Sequence, residues 1–189
     1  MLEICRYADL TQEENWNKFC GLVDIESYID YYAAMIYVGR HDDWPNSNYS
    51  LWRTQGVDNT QPYSDGKWRW MAFDLNSGGM EEKIVDMDTI GYVMEKNEMF
   101  NNMMTNDTFR QAFLKRVQEM GETVFESEKI DRLLDEHVEL MYVPLLHNQK
   151  RFYHIETDEV LNNKIESVRS FFEKRQDVIT QLVKKYSTI

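Results

Sequence analysis

Apolar residues recur at helical spacing through most of this chain, and the period changes in one short region. From Asp24 onward, Ile25, Ile29, Tyr32, Ala33 and Ile36 fall on one face, so the pattern predicts a helix capped by Asp24, running to about Val38 and ended by Gly39. A second helical stretch follows Asp86, carrying Ile90, Val93 and Met94 and then Phe100, Met103 and Met104. A third is capped near Asn106 or Asp107, with Phe109, Phe113, Val117, Met120 and Val124 in register. Ser127 opens a fourth through Ile130, Leu133, Leu134, Val138 and Met141, which Pro144 kinks or stops. Thr157 caps the last and longest, with Leu161, Ile165, Val168, Phe172, Val178 and Leu182.

Between the first two helices the pattern is extended. Tyr49 to Arg53 is short and aromatic, and Lys67-Trp-Arg-Trp-Met-Ala-Phe73 alternates, with Trp68, Trp70 and Ala72 on one side. Gly56, Asn59, Pro62 and the pair Asp65-Gly66 lie between these runs, so they read as a hairpin with a long loop. The expected fold is α+β and mostly helical: a hairpin flanked by two polar loops, then a helical bundle. The whole of residues 1–189 reads as one domain.

Composition narrows the function. Apolar residues make up 42% and charged residues 29%, which suits a packed globular chain. With 33 acidic against 21 basic residues, the formal charge is -12, which argues against nucleic acid as a partner. An anionic ligand here needs a bridging cation. Cys5 and Cys20 could pair or stay free, and two cysteines make neither a disulfide framework nor a zinc site. No apolar run is long enough to predict a membrane span.

The chemistry-bearing residues sit in the two polar loops. The first is Gly39-Arg-His-Asp-Asp-Trp-Pro-Asn-Ser-Asn48 and the second Phe73-Asp-Leu-Asn-Ser-Gly-Gly79. Helix, loop, strand, turn, strand and loop in that order bring both loops to one end of the hairpin. Protein kinases place a catalytic loop His-Arg-Asp-x-x-x-x-Asn and a metal-binding aspartate in this way. Here His41-Asp42-Asp43 is followed by Asn48, and Asp74 lies just past the hairpin. Hard oxygen ligands of this kind hold magnesium against phosphates. The plainer roles are also available. Asp43 before Trp-Pro serves as a turn former, Asn48 as a turn residue, and His41 as a loop brace. Trp68, Trp70, Met99, Met103 and Met104 read as core, Arg151 and Arg175 as structural ion-pair residues, and the acidic pairs at Glu81-Glu82 and Asp86-Met-Asp88 as solvated faces.

The runs Ile29-Asp-Tyr31, Tyr37-Val-Gly39, Asp43-Trp-Pro-Asn-Ser-Asn-Tyr49, Leu51-Trp-Arg53 and Asp65-Gly-Lys-Trp-Arg-Trp70 ending in Phe73-Asp74 resemble the CotH (spore coat protein H) kinase family. The likeness continues through Phe109-Arg-Gln-Ala-Phe113 and Val168-Arg-Ser-Phe-Phe-Glu-Lys-Arg175, covering about Asp24 to Val178. The resemblance implies an atypical kinase fold, ATP and Mg2+ as cofactors, and transfer of phosphate to Ser/Thr hydroxyls of a protein substrate. By resemblance, Asp43 is the catalytic-loop aspartate, Asn48 and Asp74 bind the metal and nucleotide, and Asn76 is a further metal ligand. The acidic surface fits a basic substrate. The family occurs in spore coats and in secreted or surface assemblies, which leaves the compartment open.

Three positions depart from the family pattern: His41 replaces an Asn, Ser47 replaces the first of an Asn pair, and Asp74-Leu-Asn76 replaces Asp-x-Asp. The last favours an alternative reading as a non-catalytic pseudokinase in a coat or surface assembly. A metal-dependent phosphoester hydrolase is a third. The chain has no Gly-rich phosphate loop and no strand-borne Lys before Asp24. Its opening, Met1-Leu-Glu-Ile-Cys-Arg-Tyr-Ala-Asp9, reads like the middle of a fold. The expectation is therefore a C-terminal lobe that binds ATP poorly and is inactive alone.

Overall fold

A computed structural model describes residues 6–75, 79–153 and 158–189. Seven α-helices are delimited among them: α1 (Glu13–Leu22), α2 (Ile25–Tyr37), α3 (Thr89–Lys96), α4 (Glu98–Met104), α5 (Asp107–Thr123), α6 (Ser127–Tyr153) and α7 (Asp158–Tyr186). Two short strands, β1 (Ser50–Trp52) and β2 (Arg69–Met71), lie between α2 and a 3-10 turn at Glu82–Ile84. They pair antiparallel in the register Ser50↔Met71, Leu51↔Trp70, Trp52↔Arg69. The mostly helical α+β reading is the observed one.

Helix α2 is the centre of the molecule. The sequence pattern showed one apolar face, but Tyr28, Tyr31, Met35 and Tyr37 are buried as well, so the helix is covered on most sides and open along Glu26 and Asp30. Tyr28 stacks on Tyr32, and Tyr32 on Phe100 of α4, which extends the core through Phe109 and Phe113 of α5. Asp24 caps α2 by accepting from the Ser27 N–H at 3.0 Å, as its position predicted.

The C-terminal end of α2 closes with the two hydrogen bonds of a Schellman motif. Gly39 N–H donates to the Ile36 carbonyl at 3.1 Å and Arg40 N–H to that of Met35 at 3.0 Å. Gly39 takes φ +73°, a conformation that costs a side-chain-bearing residue. Arg175 of α7, fully buried, then gathers carbonyls left around this end. It donates to Tyr37 O at 2.9 Å, Ile36 O at 3.0 Å, Val85 O at 2.6 Å and Met87 O at 3.0 Å, and to the Thr89 hydroxyl at 2.7 Å. Its partners are thus backbone carbonyls and a hydroxyl, where an ion pair was expected. Burial pulls its guanidinium down to about 10.

The hairpin is tied to the other end of α2. Trp68 N–H donates to Leu22 O at 2.9 Å, Asp24 N–H to Trp68 O at 3.0 Å, and Arg69 Nε lies 2.8 Å from Asp24 Oδ2. Trp70 packs edge-on to Tyr28, whereas Trp68 is half-buried and Ala72 exposed, so the expected three-residue face narrows to one core residue.

Several expectations shift. Helix α1 lies where no element was predicted, held by Phe19 in the core and by Trp16 against Phe109. The stretch after Asp86 divides at Asn97, whose side chain accepts from the Phe100 N–H at 2.8 Å and caps α4. Helix α6 runs through Pro144, whose missing N–H frees the carbonyl of exposed Leu140 to water. Thr157 lies outside the described residues. The acidic pairs are cross-links to α7 in part: Glu82 accepts from Lys174 at 2.6 Å and Ser170 at 2.9 Å, and Asp88 from Lys185 at 2.7 Å and Tyr186 at 2.8 Å. Among the described residues, no helix is long and apolar enough to cross a membrane.

Candidate active site

Both polar loops leave from, or return to, the C-terminal end of α2. The first begins at Arg40, immediately after the Schellman turn. The second returns there through the Met80 N–H, which donates to Val38 O at 2.8 Å. The first loop is pinned from beneath. Tyr92 of α3 donates to His41 O at 2.8 Å and is 3.1 Å from Trp44 O, and Trp44 Nε1 donates to the Tyr31 hydroxyl at 3.0 Å. Burial, with Asp42 and Asp43 nearby, pushes the Tyr92 phenol up, so it stays a proton donor at neutral pH. His41 Nδ1 is 3.0 Å from Gly39 O, the loop-bracing role expected of it.

On this base the structure brings Asn48 and Asp74 together: the Asn48 side-chain amide donates to Asp74 Oδ2. Both residues sit in the left-handed region, at φ 51° and 57°, where Asn and Asp are among the few side chains at ease. Asp74 is exposed: β2 stops at Met71, and Met71, Phe73 and Leu75 are exposed too. Asp43 closes a turn, taking the Ser47 N–H on its carbonyl at 3.0 Å and the Ser47 hydroxyl on Oδ2 at 3.2 Å. Its carboxylate stays about two-fifths exposed, so the turn role leaves it open to an incoming group. Asn76 lies outside the described residues.

Arg40 escaped the sequence reading. Its side chain is 1% exposed, and it touches both loops. Nη1 donates to the Phe73 carbonyl at 2.9 Å, Nε lies 3.4 Å from Asp42 Oδ1, and Nη2 lies 3.5 Å from Asp43 Oδ1. The signal available was a lone cation directly after the helix-ending glycine and just before two aspartates.

Asp74, Asn48 and Asp43 offer only hard oxygen donors once the Asn48 amide is turned to present its carbonyl. That donor type fits Mg2+, which takes one or two carboxylates and completes its shell with water and phosphate oxygens. Among the described residues, no group of three or more His, Cys, Asp or Glu side chains is gathered as a metal cage. The cavities of about 500 and 470 Å3 flank the hairpin, one beside Asp24, Glu26 and Ala72, the other beside Asn46, Tyr49 and Lys96, and the loop carboxylates line neither.

The family model described as CotH kinase protein matches residues 1–179. The chain belongs to the CotH kinase family. The match takes in both loops and all the helices except the end of α7, and it starts before Asp24, where the resemblance read from motifs began. No curated protein and no solved structure matches the chain. At the level the family gives, the function is kinase-like or that of a coat protein, and a kinase of this family uses ATP and Mg2+ and acts on a protein.

Proposed function

We propose that this CotH kinase chain supplies the catalytic-loop lobe of a protein kinase that transfers the ATP γ-phosphate to a Ser or Thr hydroxyl. The observation that carries this reading is the contact between Asn48 and Asp74. Two loops separated by a whole hairpin present an amide and a carboxylate to each other, beside a catalytic-loop aspartate. In the transfer, the substrate oxygen attacks the γ-phosphorus, the bond from that phosphorus to the β–γ bridging oxygen breaks, and ADP leaves. Asp43 accepts the hydroxyl proton and orients the nucleophile. Asn48 and Asp74 would hold the metal, with Asn76 as a candidate further ligand. Mg2+ bound there supplies the positive charge that offsets charge on the phosphate oxygens.

The exposed apolar run Met71, Phe73, Leu75 beside the site supports a lobe architecture, since apolar side chains at alternate positions of an extended segment call for a cover. The nucleotide-cradling part is proposed to be that cover, so residues 1–189 alone bind ATP weakly and turn over little. The acidic charge fits a basic protein substrate.

A non-catalytic coat or surface-assembly role is the second reading, favoured by Asn76 standing where the family pattern has an aspartate. The test is transfer of labelled phosphate from ATP to protein by the full-length protein, beside Asp43→Ala and Asp74→Ala. Transfer that both substitutions abolish supports the kinase. Free phosphate without labelled protein points to a hydrolase, and an inert wild type points to the scaffold.

A further inference from the structure

We infer that Arg40 is the positioning residue that couples the catalytic loop to the metal-binding loop, an inference that rests on the proposed kinase reading. A guanidinium with 1% exposure has been taken out of water, and a buried cation needs acceptors on every side. Arg40 finds them in two separate segments. Nη1 binds the Phe73 carbonyl, the backbone group next to Asp74, at 2.9 Å. Nε and Nη2 face Asp42 Oδ1 and Asp43 Oδ1 at 3.4 and 3.5 Å. The planar fork fixes the angle between these groups, so the direction of Phe73–Asp74 and that of Asp43 are set by one rigid object.

Nη2 makes no hydrogen bond among the described residues and meets Asp43 Oδ1 only as an ion pair at 3.5 Å. Arg40 touches neither Asn48 nor the Asp74 carboxylate in the contacts described, so it acts through the backbone of residue 73 and through Asp43. A lysine at this position keeps the charge but serves one direction at a time.

The test reads metal affinity without turnover. Mn2+ binding to the full-length protein is followed by electron paramagnetic resonance with a non-hydrolysable ATP analogue, for wild type, Asp74→Ala and Arg40→Lys. The expected result is a site lost in Asp74→Ala and weakened about 10- to 100-fold in Arg40→Lys, the range for removing a group that orients a metal ligand. The thermal midpoint of Arg40→Lys is recorded alongside. If that variant loses its cooperative transition, Asp42→Ala takes its place, with a smaller weakening expected. An Asp74-dependent site that the folded variant binds as tightly as wild type overturns the role of Arg40 alone. A wild type without an Asp74-dependent site overturns the kinase reading, and this inference with it.

Discussion

Asn48 and Asp74, 26 residues apart and on opposite sides of the hairpin, meet through a hydrogen bond from the amide of one to the carboxylate of the other. Each is held in the left-handed region, and each loop is anchored at the same end of α2. The contact pairs a neutral donor with an anion, so Asn48→Asp sets two carboxylates against each other. We expect this variant to melt a few degrees below wild type in a metal-free buffer. Added Mg2+ should restore it, because a cation between two carboxylates removes the repulsion. Thermal scans with and without Mg2+ check this, and a midpoint indifferent to the metal counts against a cation site.

Arg175 carries the end of α2 on which both loops rest. Arg175→Met leaves the carbonyls of Ile36, Tyr37, Val85 and Met87 without its donors. Ile36 O and Met87 O keep the Gly39 and Thr89 N–H groups, whereas Tyr37 O and Val85 O lose the guanidinium, so the cost should be about 2–4 kcal/mol. Urea unfolding measures it, and a loss under 1 kcal/mol would mean that water replaces the guanidinium.

The hairpin loop has a pH signature. The bidentate bond from Arg69, helped by the Lys67 N–H, lowers the Asp65 carboxyl to about 2. A depressed folded pKa stabilises above the unfolded value near 3.8 and is lost as pH falls toward 2. Asp65 is largely in solvent, so screening holds the gain to about 0.5–1 kcal/mol. Asp65→Asn should therefore be less stable than wild type at pH 7 by that amount, with the gap closing between about pH 4 and pH 2. Stability curves of the two proteins over that range test it.

Gly39 allows the turn from which the first loop springs. A Cβ there would meet Ile84 Cδ1 at 2.8 Å, and φ +73° disfavours it further. Gly39→Ala should cost about 1–3 kcal/mol. If phosphotransfer is observed, it should fall more than stability alone accounts for, because Arg40 is the next residue. Equal activity per folded molecule would separate the turn from the site.

What the sequence disclosed follows from what is local. Caps at Asp24 and Asn106, the Gly39 stop and the hairpin are short-range patterns, and each was found close to where it was expected. Helix α1 was missed because its apolar residues Trp16, Phe19 and Leu22 are sparse among charges and its N-cap Gln12 makes no capping bond. The approach of Asn48 to Asp74 follows from the order of loops and strands, which is itself a local pattern. Arg40 and Arg175 were not legible as buried cations, since burial of an arginine depends on distant carbonyls that no local pattern encodes. The exposure of Ala72 has a similar origin: the alternation runs on to Phe73 in the sequence, while the ladder ends at Met71.

Magnesium-dependent ATP binding at Asp74 is the claim on which the rest depends, and calorimetry tests it most directly. The full-length protein is titrated with ATP with and without Mg2+, beside Asp74→Ala. The account predicts binding that requires Mg2+ and disappears in the variant. Binding that persists in Asp74→Ala, or no binding in wild type under either condition, would contradict it.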